Sequence, residues 1–396
     1  MTSEPAPRHV LPVLVLAQLA GVSPWFAVNA VMPALQRDYG WAAADVGTLT
    51  SAVQLGFIAG TLVFALLAVA DRFSPRRVFL LCSLAGAACT LAGAFSAGSF
   101  QQLLLWRTLT GFFLAGIYPV GMKIASQWFP QGLGGALGWL IGALVLGSAS
   151  AHAVRALGSA LPWTMVFHTV AAAAALAGLL LYAALPERPR PAGRGPGLRW
   201  QALASIWTDR KVRASVLGYF GHMWELYTMW VLVPVILATR LAGAALSWAA
   251  FVVLGVGAIG CIAGGAWVRR IGSARVAAWQ LGFSGLCCVA SPWLLQAPDL
   301  LFAAWLLLWG ITVAGDSPQF SALTAQNAPP QAVGSVLTLV NSIGFGISIL
   351  SIQLFVTLAE TLPLGALLPW LGLGPLLGVW ALAPLWRGLS GRGPAR

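Results

Sequence analysis

Twelve long apolar runs, separated by short segments that hold almost all of the charge, dominate this chain of 396 residues. A helix that crosses a bilayer needs about 20 mainly apolar residues. Runs of that length cover roughly 10–35, 43–70, 76–98, 103–127, 132–154, 161–186, 213–239, 243–268, 275–295, 299–325, 332–358 and 363–386. Several exceed the minimum, which implies tilt or extension beyond the bilayer. Only 8% of the residues are charged and 59% are hydrophobic, whereas soluble domains carry about 25% charge. So few charges cannot clothe a water-facing surface. An ordinary soluble enzyme, a disordered protein and a nucleic-acid reader are therefore excluded. The 45 glycines and 19 tryptophans suit close helix contacts and the headgroup level of a membrane. Barrel strands of about ten alternating residues are not seen. The reading is an all-α polytopic membrane protein with twelve transmembrane helices.

The net charge of +12 belongs to topology rather than to a binding face. With the N-terminus inside, the inner segments hold Arg8, then Arg72, Arg76 and Arg77, then Lys123, then a dense run from Arg188 to Arg213, then Arg269, Arg270 and Arg275, and finally Arg387, Arg392 and Arg396. The outer loops hold only Arg37, Arg155 and Arg240. Basic residues favour the cytoplasmic side, so both termini are expected there. The first run is too long for a cleaved signal peptide and has no small-residue cleavage site before a soluble domain. The five cysteines all lie in apolar runs without metal-ligand spacing, and they read as packing residues.

The stretch Pro186–Trp200 is rich in Pro, Gly and Arg and cannot form a span. It separates an N-terminal six-helix bundle, 1–186, from a C-terminal one, 213–396, with 187–212 as a cytoplasmic linker. Sliding the chain against itself by 198 or 199 residues supports this division. Ala115-Gly116-Ile117-Tyr118-Pro119 falls on Ala314-Gly315-Asp316-Ser317-Pro318, Trp25 on Trp224, Asp71-Arg72 on Arg269-Arg270, Arg77 on Arg275, Pro130 on Pro329 and Gly135 on Gly334. A duplicated six-helix unit of parallel orientation explains these matches.

With that architecture, the chain resembles the major facilitator superfamily of secondary transporters. Ala70-Asp71-Arg72-Phe73-Ser74-Pro75-Arg76-Arg77 is similar to that family's D-R-x-G-R-[RK] loop, with Pro75 near the place of the glycine and Leu67 where an earlier glycine normally stands. The loop after span 8 carries a weaker copy with Arg269, Arg270, Gly272 and Arg275, its aspartate lost. Arg107 and Gly111 match the R-x-x-x-G pattern of span 4. Span 5 has five glycines but lacks the Gly-Pro pair of many drug/proton antiporters, and the Asn341–Gly346 stretch is a loose echo of nitrate porters. The resemblance implies a cavity lined by spans 1, 4, 7 and 10. It also implies that Asp71, Arg72, Arg76, Arg77, Arg270, Arg275 and Lys123 act in cytoplasmic gating. The bland alternative for these residues is orientation alone.

An ionisable side chain at mid-membrane costs at least ~2.5–3.5 kcal/mol, so each one needs a reason. Span 7 places His222 and Glu225 three apart on one face. A carboxylate at that depth is expensive to keep charged and is a natural proton carrier, and a neighbouring imidazole can relay the proton. The alternative is a buried pair that only stabilises packing. Asp316, two residues before Pro318, is a second protonatable candidate, or a partner of Lys123 at an inner gate. Arg107 offers a fork suited to an oxyanion, or else a bond to backbone carbonyls. Trp25 and Asn29, four apart beside Pro24, and Tyr118, Trp224, Tyr227 and Trp309 complete the expected substrate-binding set. A metal site is not expected, because His222 and Glu225 lack companion ligands.

No P-loop of the G-x-x-x-x-G-K-[ST] type is present, and no enzyme motif emerges. The expectation is a secondary active transporter working by alternating access, with no cofactor and with the proton gradient as driving force. A small organic or inorganic anion is the favoured substrate. The alternatives are a proton-coupled antiporter exporting a cationic or amphiphilic compound, and a non-transporting membrane sensor on a transporter fold. The expected partners are a small-molecule substrate and the lipid bilayer, with no nucleic acid. The expected state is a monomer in a bacterial inner membrane.

Overall fold

The computed structural model describes residues 7–129, 133–187, 204–329 and 332–387. Most of the linker, including Arg188, Arg190, Arg194 and Arg199, lies outside the described residues, as do Pro130, Arg392 and Arg396. Every regular element among the described residues is helical. Ten helical stretches there are long and apolar enough to cross a membrane by length and composition. The chain divides into two compact units, Met1–Gly197 with Leu237–Phe251, and Leu198–Ile236 with Val252–Arg396.

In the first unit, span 1 is two helices, α1 (Val10–Gly21) and α2 (Ala27–Tyr39). Pro24 lacks the N–H that a continuous helix would need there, and turn hydrogen bonds bridge the break, Trp25 N–H donating to the Val22 carbonyl at 3.0 Å and Ala27 N–H to the Pro24 carbonyl at 3.3 Å. Span 2 is α3 (Asp45–Leu66). It ends earlier than the apolar run suggests, because Ala68 takes a left-handed φ of 48° that turns the chain into the short α4 (Val69–Arg72). Spans 3 to 6 are α5 (Pro75–Phe95), α6 (Phe100–Leu114) continued by α7 (Tyr118–Trp128), α8 (Leu133–Leu157) and α9 (Thr164–Ala184).

In the second unit, the short α10 (Ala204–Thr208) precedes α11 (Arg210–Ala238), an unbroken span 7. Span 8 is α12 (Gly243–Gly255), whose residues up to Phe251 belong to the first unit by the division above, with α13 (Gly257–Ile271), and span 9 is α14 (Ser273–Leu294). Span 10 is α15 (Asp299–Gly315) with α16 (Ser317–Asn327), and span 11 is α17 (Val333–Leu358). Span 12 is α18 (Leu364–Leu371) with α19 (Leu373–Arg387).

The duplication is visible within each unit separately. Span 4 breaks between Leu114 and Tyr118, and span 10 at Asp316, each with a proline as second residue of the following helix. A Cβ on Gly111 would collide with the carbonyl oxygen of Val53, and one on Gly310 with that of Val253. Gly60 lies against the carbonyl of Phe112 in the same way, and Gly260 against that of Ile311. Gly116 abuts Cys82 while Gly315 abuts Gln280. Each pair is related by an offset close to 199. The R-x-x-x-G glycine is therefore a backbone contact between spans 2 and 4, a use of small residues that membrane helices favour. Gly111→Ala is expected to destabilise the protein by about 1–3 kcal/mol through overpacking. Gly346→Ala, where a Cβ meets nothing within 4 Å, should leave thermal unfolding in detergent nearly unchanged.

Candidate functional site

The expected site residues fall into groups that are built inside one unit or the other. In the first unit, the guanidinium of Arg107 is buried and caps the break in span 1. Its Nη1 donates to the Pro24 carbonyl at 2.9 Å, and its Nη2 donates to that of Trp25. The residue that the repeat sets opposite Arg107 is Leu306, on a span that packs in a unit whose span 7 has no break. The arginine is present where the span 1 break turns carbonyls toward it and is absent from the unit whose span 7 is unbroken. Its bonds are those of the backbone alternative, with Nε the one nitrogen lacking a hydrogen bond.

The break also alters the expected pairing of Trp25 and Asn29. Trp25 precedes α2, so helical four-residue spacing does not relate the two. Asn29 instead exchanges hydrogen bonds with Thr50, Nδ2 donating at 3.0 Å and Oδ1 accepting at 3.2 Å. Trp25 packs on Phe57 with ring centroids 5.0 Å apart, and Phe57 stacks on Tyr118 at 6.4 Å. Spans 1, 2 and 4 thus form an aromatic row whose middle member, Phe57, had no polar neighbour in sequence to single it out.

In the second unit, α11 keeps His222 and Glu225 on one face, but each engages a different end of the span 10 break. Glu225 is fully buried. Its Oε1 accepts a hydrogen bond from Trp309 Nε1 at 2.6 Å, one from Cys288 Sγ at 3.2 Å and one from Ser284 Oγ. Its Oε2 has no hydrogen-bond partner among the described residues. None of the ion pairs among those residues involves Glu225. One turn away, His222 Nδ1 lies 2.8 Å from Asp316 Oδ1, and Nε2 lies 2.9 Å from Ser317 Oγ. The imidazole is flanked by Tyr219 and Phe320, with centroids at 5.9 and 5.7 Å. His222 therefore serves Asp316 and Ser317 with its two nitrogens.

The cysteine reading needs correction at two positions. Cys288 is a donor to Glu225, and Cys261 donates to the Ala314 carbonyl at 3.2 Å. Ser284 and Cys288 lie on span 9, which carries no ionisable residue at that depth, so nothing in the sequence marked them. Trp309, expected in the substrate-binding set, instead donates to Glu225, and its ring lies tilted against that of Trp305 at 5.4 Å. Tyr227 packs on Trp230 and Phe345, while Trp224 faces Phe355 and the glycine face of span 12 at Gly374.

The gating candidates of the first unit are tied together. Lys123 forms an ion pair with Asp71 and donates to the Ala70 carbonyl at 2.7 Å. Arg76 donates to the Leu185 carbonyl at 2.8 Å, meets Glu187 at 3.5 Å and lies 4.9 Å above the Tyr182 ring. Arg72 and Arg77 are exposed, as is Arg270, whereas Arg275 is half-buried.

A polytopic helical protein with an internal repeat, and with Arg107, His222, Glu225 and Asp316 buried in spans 4, 7 and 10, fits a class of membrane carriers. The sequence profile of the Major Facilitator Superfamily matches residues 14–352, and the chain belongs to that family of transporters. It is 29% identical over 188 residues to the putative uncharacterized transporter YgaY of Escherichia coli. That match spans about half of either chain, 46% of each. It is 26% identical over 363 residues to the 4-hydroxybenzoate transporter PcaK of Acinetobacter baylyi, covering 80% of this chain and 77% of the relative. The human organic anion transporter MFSD10 shares the fold, with a TM-score of 0.76 at 19% identity over 96% of this chain and 100% of that one. The family is one of multi-pass membrane transporters, and the ten long apolar helical stretches fit it.

Proposed function

We propose that the chain is a secondary active transporter that works by alternating access, draws on the proton gradient and moves a small organic anion. The observation that carries this reading is Glu225. A fully buried carboxylate with neutral donors on one oxygen and none on the other is costly while charged. A proton on Oε2 removes that cost and leaves the three donors to Oε1 intact. A group in that position favours a cycle in which it is loaded with a proton in one state and unloaded in another. His222 and Asp316, 2.8 Å apart, are a second pair of protonatable groups within the same unit. The chain is taken to need no cofactor, and to work as a monomer in a bacterial inner membrane with both termini cytoplasmic.

The aromatic row Trp25–Phe57–Tyr118 and the relation to a 4-hydroxybenzoate transporter favour a planar aromatic monocarboxylate as substrate. The buried acids Glu225 and Asp316 also support a second reading, a proton antiporter that exports a cation. Thermal unfolding of the purified protein separates the two. A ligand that binds only the folded state stabilises it by about 2.7 kcal/mol at 100 Kd. 4-Hydroxybenzoate is expected to raise Tm, more so at pH 5.5 than at pH 7.5, if a proton binds together with the anion. Its uncharged methyl ester should do little. Stabilisation by cationic amphiphiles alone would replace anion uptake by export.

A further inference from the structure

The two copies of the loop after the second span of each unit have solved their charge differently. In the first copy the acid is kept: Asp71 pairs with Lys123, and Arg76 is spent on Leu185, Glu187 and Tyr182. In the second copy the position of Asp71 holds an arginine, and the position of Lys123 holds Ala322. Arg269 and Arg270 are exposed at the end of α13, and Arg275 follows one turn into α14. No described carboxylate lies within ion-pair distance of any of the three. The last turn of α13 suits basic residues through its dipole, but a partial charge does not balance two full ones.

Beside them is a cavity of about 370 Å³ lined by Ala266, Trp267, Arg269 and Arg270. Trp267 is 51% exposed. The helix that carries it closes the 29-residue apolar stretch Gly243–Ile271, so its end falls at headgroup depth, where tryptophan is enriched. Gly272, with φ of 85°, ends α13 abruptly and starts α14 at once. That turn keeps Arg275 close in sequence to the pair. Arginine forks match phosphate oxygens in pairs, and basic pockets at helix ends hold anionic headgroups.

We infer that the end of α13 is a binding site for the phosphate headgroup of an anionic membrane lipid, gripped by Arg269 and Arg270 with Trp267 against the glycerol and upper acyl region. The lipid supplies the negative charge that Asp71 supplies in the first copy. This site is separate from the proton site, and it stands whatever the transported solute proves to be.

Native mass spectrometry of the full chain in detergent tests it, with phosphatidylglycerol, phosphatidylcholine and inorganic phosphate as probes. The wild type should retain phosphatidylglycerol at lipid levels where phosphatidylcholine leaves no adduct. Arg269→Ala/Arg270→Ala should weaken that retention about tenfold, and millimolar inorganic phosphate should not displace the lipid. Equal retention of the two lipids, an unaffected double variant, or displacement by inorganic phosphate would each overturn the assignment. Arg269→Gln/Arg270→Gln serves where the alanine variant folds poorly, and the comparison of the two lipids on wild type needs no variant.

Discussion

Glu225→Gln abolishes substrate accumulation driven by a pH gradient and leaves exchange of substrate across the membrane. The amide keeps the shape of the protonated acid and can still accept from Trp309, Ser284 and Cys288 through its oxygen. What it loses is the ability to release a proton. A gradient of one pH unit is worth about 1.4 kcal/mol for each proton carried, or about tenfold accumulation of an accompanying solute. The variant should hold internal substrate at the external concentration under that gradient, while counterflow of labelled substrate persists. Proteoliposome uptake and counterflow on the same preparation check both halves. Trp309→Phe should be milder, because two donors remain on Oε1.

His222→Ala carries the second large effect, on stability. It strips Asp316 of its imidazole partner at 2.8 Å and leaves Ser317 without the ring nitrogen. Breaking one side of a buried pair costs about 3–5 kcal/mol, a figure that falls toward the lower end where the carboxyl escapes by taking a proton. His222→Ala/Asp316→Ala should therefore be less destabilised than the sum of the two single variants. A coupling energy of about 0.5–3 kcal/mol is expected from the cycle, read by denaturant unfolding in detergent. Strict additivity would mean that the two side chains do not support one another.

The fold was legible because bilayer thickness and the shortage of charge leave few options for a chain of this kind. The duplication was legible too, through weak matches that become meaningful when Gly111 and Gly310 meet equivalent valine carbonyls. Span 7 stood out in the sequence because an acid at mid-depth is costly, although its partners Trp309, Ser284 and Cys288 did not. The breaks were harder to read. Hydropathy does not register the loss of one N–H at Pro24, so span 1 looked continuous and Trp25 and Asn29 looked like neighbours. A bond from Arg107 to backbone carbonyls was one of the two readings of the sequence, but which carbonyls it meets followed from that break. Ser284 and Cys288 escaped because small polar residues are common in apolar helices, and only tertiary placement sets these two on Glu225. The copies diverge in chemistry as well as in sequence. The first unit has Phe26, Ser23 and Ile117 where the repeat sets Glu225, His222 and Asp316 in the second. The buried carboxylates among the described residues, Glu225 and Asp316, therefore both lie in the second unit.

The most direct test of proton-coupled anion transport is uptake into proteoliposomes, using the aromatic monocarboxylate that gives the largest thermal shift. Lumenal pH should be followed with an entrapped dye. The account predicts that an inward proton gradient drives accumulation above the external concentration, that lumenal acidification accompanies it, and that a protonophore abolishes it. Glu225→Gln should lose both the accumulation and the acidification. Uptake that is indifferent to the gradient and to the protonophore in the wild type would contradict the coupling, and with it the role given to Glu225.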